Sequence, residues 1–202
     1  MGNRLELTDK TNAYFTRLTP NFNDWVKPSG RDGKCHATDP FKPLYEETNG
    51  FGWEEWLFEE YFDNLSNTDH ACNGFVEAFN QQNLDKDFIG RLYLYTKVCK
   101  NKEGHKPGYY FVGYIDNVIR IESIPNTQNK VQSDLSAVDI NHNGFLPMLP
   151  YAKNISFKVK DVHVEFPLVY KQPIRLNRGQ FRFSLYDLNN HPNFLTTINN
   201  YV

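Results

Sequence analysis

Paired carboxylates, an amide-flanked histidine and a tight group of tryptophans are the residues of this chain whose types and spacing bear on chemistry. Glu54-Glu55 and Glu59-Glu60 each bring two carboxylates together, the grouping that general acid–base work requires. Nothing around them supplies the enclosure that raises a carboxyl pKa, so a solvated acidic face or a helix cap is the simpler reading. His142, in Asn141-His142-Asn143-Gly144, lacks the second histidine and the acidic ligand a nuclease needs, and Asn and Gly are ordinary turn residues. His36 stands beside Cys35 with no further ligands at metal-binding spacing. There is no G-x-S-x-G, no phosphate-binding glycine loop and no H-E-x-x-H. No catalytic residue, metal ligand or cofactor is assigned, and the chain is expected to bind rather than to catalyse.

The tryptophans carry the more specific signal. Trp25 opens WVKPSGR (residues 25–31), and Trp53 and Trp56 lie in GFGWEEWLF (residues 50–58), interleaved with glycines that permit sharp turns and close backbone approach. Aromatic residues make up 15% of the chain, enough to line a pocket for a planar ligand as well as to fill a core. Both uses stay open for Trp53 and Trp56.

Charge is uneven although the net is only −2. Residues 1–96 hold 9 Lys and Arg against 16 Asp and Glu, whereas residues 97–202 hold 13 against 8. The basic residues cluster as Lys97, Lys100, Lys102 and Lys106, then Lys153, Lys158 and Lys160, then Lys171, Arg175, Arg178 and Arg182. A polyanion is a suitable partner for the second half, with salt-sensitive affinity. Ordinary solvated strand faces account for the same residues.

The elements that must position these groups are mostly strands. RLYLYTKVC (residues 91–99) and YYFVGYI (109–115) are aromatic and β-branched and flank a basic loop with Gly and Pro. Asp116-Asn117 reads as a turn leading to a third strand, VIRIES (118–123). Period-two alternation marks residues 155–160, 162–166 and 180–186, and residues 13–18 form a further strand. A short helix is expected over residues 74–82 with Phe75, Val76 and Phe79 on one face, and a helical turn over 133–138. GWEEWLFEEYF (52–62) suits a helix or a packed loop. The expected fold is α+β, mostly β: a curved barrel with a few short helices at its rim.

At 202 residues, one domain spanning 1–202 is the default. The first residues lack a secretory signal, and no run of about 18 apolar residues occurs, which predicts a cytoplasmic protein without a membrane partner. Cys35, Cys72 and Cys99, odd in number and widely spaced, are expected as reduced thiols.

The order Trp-x-x-Pro-Ser-Gly, then Gly-Phe-Gly-x-Glu-Glu-Trp-Leu-Phe, then Tyr-Tyr-x-Val-Gly-Tyr-Ile resembles the modified-base-reading domains of bacterial modification-dependent restriction endonucleases, in the PUA superfamily with its EVE, YTH and ASCH-like branches. The resemblance covers roughly residues 13–123, with Gly-Phe-Gly-x-Glu-Glu-Trp its most specific part. It departs at Trp53, where the family pattern has His, which puts the ligand preference in question. It implies a PUA-like barrel that takes a flipped, modified base, methylated or hydroxymethylated, from DNA. Trp25, Trp53, Trp56, Tyr109 and Tyr114 would be its walls, and Ser29, Glu54, Asp116 and Asn117 its polar contacts to the base edge. Lys97, Lys100, Lys102 and Lys106 would hold the DNA backbone.

On this reading the chain is the specificity module of a restriction or phage-defence system, the N-terminal part of a longer protein or the partner of a separate nuclease. The alternatives are an RNA-binding PUA-like module and a small metal-dependent nuclease with a scattered site.

Overall fold

The computed structural model describes residues 12–31, 34–35, 45–81, 89–99, 106–125, 128–140, 152–167 and 186–187. Its strands are β1 (Asn12–Leu18), β2 (Ala71–Gly74), β3 (Ile89–Val98), β4 (Gly108–Pro125), β5 (Ala152–Lys158), β6 (Val162–Val164) and β7 (Tyr186–Asp187). The helices are short: α1 (Tyr45–Asn49), α2 (Glu59–Asp63), α3 (Ala78–Gln81) and α4 (Gln128–Ala137), with 3-10 turns at Trp53–Trp56 and Val159–Asp161. The chain is thus mixed α+β and mostly strand.

Six strands lie in the order β2-β5-β4-β3-β1-β7, and β6 continues along the edge of β4 that β5 occupies. β1 and β3 run parallel, and the other pairs are antiparallel. Among the described residues this sheet stays open, which corrects the expectation of a closed barrel. The reason lies in its ends: among the described residues the outer strands β2 and β7 have one partner each, β5 and β1.

The expected turn at Asp116-Asn117 is also corrected. β4 runs straight through it as one 18-residue strand. Its buried apolar residues, Tyr110, Val112, Ile115 and Val118, show how. Alternation would place them two apart, and the two steps of three each insert one residue, a β-bulge that keeps the apolar set on one face. The first lies where Leu94 pairs Gly113 and Tyr95 pairs Phe111. The second lies where Leu92 pairs Ile115 and Gly90 pairs Val118, leaving Arg91 opposite both Asp116 and Asn117. Asn117 takes φ 51°, a left-handed conformation that Asn tolerates, so the preference that suggests a turn serves a bulge instead. Gly113, at φ 145°, lies under β6; an added Cβ would come within 2.4 Å of the His163 carbonyl oxygen.

One face of the sheet packs the main core: Leu18, Leu92, Leu94, Val98, Tyr110, Val112, Ile115, Val118, Ile155 and Phe157, with Trp25, Leu57 and Phe58 above them. A second cluster joins Phe51, Trp53, Trp56 and Phe75 to Val131, Leu135 and Ile140 of α4 and the turn after it. The helix expected over 74–82 is shorter than predicted, because Gly74 ends β2 against Leu57, 2.6 Å from where its Cβ would stand. The turn expected over 133–138 belongs to the longer α4.

Cys35 and Cys99 form a disulfide with Cα atoms 5.0 Å apart, which corrects the expectation of three reduced thiols. The two lie 64 residues apart, so only the fold brings them together. Cys72 is the free cysteine of the described set, buried, its thiol pushed up to about 11 by desolvation. No helix among the described residues is long and apolar enough to cross a membrane.

Candidate functional site

Glu54 and Glu55 are buried rather than solvated, and they organise the tryptophan block. Glu55 is saturated. Its Oε2 accepts Asn21 Nδ2 at 2.7 Å and the Ser29 backbone N–H at 3.0 Å, and its Oε1 accepts the Gly52 N–H at 3.0 Å and pairs with Lys34 Nζ at 2.8 Å. The Ser29 hydroxyl also donates to Oε2 at 3.4 Å, and these five donors fill the bonding capacity of the carboxylate in the interior. Glu54 accepts the Thr19 hydroxyl at 2.8 Å, and burial pushes its carboxyl up to about 7.

Asp24 and Trp25 both take φ 54°, an unfavourable conformation for such residues. The surrounding bonds fix it: Asn21 Oδ1 accepts the Trp25 N–H, Trp25 Nε1 donates to the Thr19 carbonyl at 2.9 Å, and the Phe58 N–H donates to the Trp25 carbonyl at 2.9 Å. Trp25 is 0% exposed. Trp53 and Trp56 are 4% and 3% exposed, with ring centroids 5.8 Å apart, and their indole N–H groups donate to the Tyr45 hydroxyl and to Asp134. All three therefore serve as core rings here.

A second set of aromatic and cationic groups lies on the sheet face opposite the main core. Arg91, Tyr93, Tyr95 and Lys97 occupy alternate positions of β3 and share that face over about 20 Å. Tyr93 packs beside Tyr114 of β4 at 5.5 Å, Tyr95 beside Tyr109 at 6.3 Å, and Phe15 of β1 stacks on Tyr95 at 4.5 Å. Phe15, Tyr93 and Tyr95 are buried, whereas Tyr109, Tyr114, Arg91 and Lys97 are partly exposed, so solvent reaches the stripe at its two cationic ends.

At the first end Arg91 binds Asp116 through both carboxylate oxygens, its Nη2 reaching Oδ2 at 3.1 Å, and its Nη1 donates to the Tyr93 hydroxyl at 3.3 Å. The guanidinium lies 4.6 Å from the centroid of Tyr114. His163 of β6 stacks on Tyr114 at 4.4 Å and places Nε2 3.2 Å from Asp116 Oδ2, with its side chain 43% exposed. The β4 bulge aims Asp116 at Arg91, a use of bulges common beside functional sites.

At the second end Arg17 of β1 pairs with the buried Glu46 of α1, Nη2 to Oε1 at 2.9 Å. The Lys97 ammonium lies 5.5 Å from the Tyr109 centroid. Desolvation, reinforced by Arg17 and opposed by Glu46, lowers the Lys97 pKa, and burial raises that of the Tyr109 hydroxyl. Flat partly exposed rings beside cations suit stacking on a planar ligand with an anionic backbone.

The sequence-predicted residues thus fall in three places. Trp25, Ser29, Trp53, Glu54 and Trp56 lie in the buried block, Tyr114 and Asp116 at the first end, and Tyr109 and Lys97 at the second. Asn117 bonds Asp161 Oδ1 at 3.0 Å, tying β4 to the turn before β6. Lys106 is exposed. Lys100, Lys102, His36 and His142 lie outside the described residues. Sequence reasoning missed Arg17, Glu46, Arg91, Tyr93, Tyr95 and His163. The alternation Arg91-x-Tyr93-x-Tyr95-x-Lys97 was the available signal.

Among the described residues no group of three or more His, Cys, Asp or Glu side chains could hold a metal ion. No family model matches the chain, and no curated protein or solved structure matches it either.

Proposed function

We propose that this chain is a PUA-like specificity module that binds DNA at a modified base turned out of the duplex, with cleavage left to a nuclease domain or subunit of the same cytoplasmic restriction or defence system. One observation carries the reading: Arg91, Tyr93, Tyr95 and Lys97 alternate along one face of β3, with the partly exposed rings of Tyr109 and Tyr114 beside them. Turning a base out costs a few kcal/mol, which stacking at about 1–3 kcal/mol per base and hydrogen bonds to its edge can offset. Lys97 and Arg91 supply cations for the flanking phosphates, which add affinity without reading sequence.

The ligand surface proposed is this β3–β4 face and not the tryptophan block, whose rings and indole N–H groups already have protein partners. The experiment is a binding titration with duplexes that differ only in one base: cytosine, 5-methylcytosine, 5-hydroxymethylcytosine or N6-methyladenine, with a matched RNA as competitor. Preference for one modified duplex, weakened in Tyr109→Ala or Tyr114→Ala proteins that stay folded, supports the proposal. Equal binding to all four duplexes contradicts it, and tighter binding to the RNA reassigns the face to RNA.

A further inference from the structure

Glu46 and Glu55 are both buried carboxylates, yet the fold treats them differently. Glu55 receives five donors. Glu46, 3% exposed, receives Arg17 on Oε1, while its Oε2 has no partner among the described residues. A buried oxygen without a donor is costly, and a carboxylate kept only for structure would be saturated as Glu55 is. The unused acceptor belongs to the partner of Arg17, whose position on β1 pairs in register with Tyr95 of β3, on the face where Lys97 lies by the Tyr109 ring.

We infer that Glu46 Oε2 accepts a hydrogen bond from the exocyclic amino group of a nucleobase held at the Tyr109–Lys97 end of the stripe, so that the module selects amino-bearing bases over their oxo counterparts. The inference rests on the base-reading proposal and names the atom that reads the base edge. An exocyclic amine projects beyond the ring and can reach a recessed oxygen. A carbonyl at that position turns its lone pairs on the carboxylate, and a ring N–H beside it is flanked by that same carbonyl.

The test changes one group on the ligand. 5-Methylcytosine and thymine differ only in a 4-amino against a 4-oxo group with its ring proton; each is placed opposite an abasic site, so that base pairing drops out, and adenine is compared with hypoxanthine in the same way. The wild-type protein should bind each amino base about tenfold tighter than its oxo counterpart, the discrimination expected of a good edge contact. In Glu46→Gln the gap should collapse while binding to the thymine duplex holds. Equal wild-type affinity for amino and oxo partners overturns the role of Glu46 and leaves base reading intact, and so does a gap that survives in a folded Glu46→Gln protein. Failure of the wild type to bind any of the duplexes overturns both. The wild-type comparison decides the question even if the variant does not fold.

Discussion

Arg91 on β3 stands opposite two residues of β4 and binds the first of them, Asp116, through both carboxylate oxygens. The bulge that creates this pairing also leaves Asn117 to bond Asp161 and lets β6 bring His163 onto Tyr114 and Asp116. A local irregularity in one strand thus assembles one whole end of the aromatic stripe. Because the pair is partly exposed, solvent screening limits its worth to about 1–2 kcal/mol despite the two-pronged geometry. A double-mutant cycle with Arg91→Ala and Asp116→Ala, followed by urea unfolding, should return a coupling of that size. Strict additivity would mean that the bond does not persist in solution.

Glu54 makes stability depend on pH in a direction unusual for a carboxylate. Burial raises its pKa from 4.5 to about 7, so between those values the folded protein holds a proton that the unfolded chain has released. Stability is therefore fully present below about pH 4.5 and is lost as pH rises through about 7. Glu54→Gln should remove that loss, a gain over wild type of up to about 3 kcal/mol at pH 8, reduced by any weakening of the bond to Thr19. Denaturant titrations of both proteins at pH 4.5, 6 and 8 check this. Parallel pH profiles would show that Glu54 stays ionised.

Glu55 is the structural carboxylate of the same pair. Replacing it with Ala strands Lys34 in the interior and releases the Ser29, Gly52 and Asn21 donors together. A loss of about 3–5 kcal/mol is expected, against less than 1 kcal/mol for Glu122→Ala on the exposed end of β4. Thermal unfolding followed by far-UV circular dichroism would distinguish the two.

The Cys35–Cys99 disulfide closes a long loop and fixes the segment after the tryptophan turn to the end of β3, two residues from Lys97. Chain entropy gives roughly 2–4 kcal/mol for such a link. Reduction, or the Cys35→Ser/Cys99→Ser protein, should lower stability by that amount, and intact-mass analysis after thiol labelling of the denatured protein should find one thiol before reduction and three after. Three thiols before reduction would show the pair to be open.

Much of the sheet was legible in the sequence, because residues 91–99, 109–115 and 155–160 are aromatic, β-branched or alternating, and each such pattern fits a pleated surface with one buried side. The spacing of Tyr110, Val112, Ile115 and Val118 also encodes both bulges, but it becomes readable only with the register of β3 in hand. Without that register, Asp116-Asn117 looks like a turn, since a left-handed residue serves either purpose. The tryptophans misled for a different reason: composition cannot separate a ring that walls a ligand from one that fills a core, and the neighbouring carboxylates that bury them act through partners far along the chain. Glu46 and His163 were invisible because each is defined by a contact across the fold, with Arg17 in one case and with Asp116 and Tyr114 in the other.

Salt dependence separates the backbone contacts from the base contacts. Lys97→Ala should reduce the slope of log affinity against log salt by about 1 while keeping the ranking of modified bases, whereas Tyr109→Ala should flatten the ranking at an unchanged slope. An unchanged slope in Lys97→Ala would remove that residue from the phosphate contacts.

The most direct measurement is the equilibrium binding of the wild-type chain to otherwise identical duplexes carrying cytosine, 5-methylcytosine, 5-hydroxymethylcytosine or N6-methyladenine, at one fixed moderate salt concentration. Selective, tight binding to one modified duplex, lost in Tyr109→Ala or Tyr114→Ala and retained in Asn117→Ala, is the result predicted for a base reader built on the β3–β4 face. Indifference to the modification, or selectivity that survives both tyrosine substitutions, would contradict it.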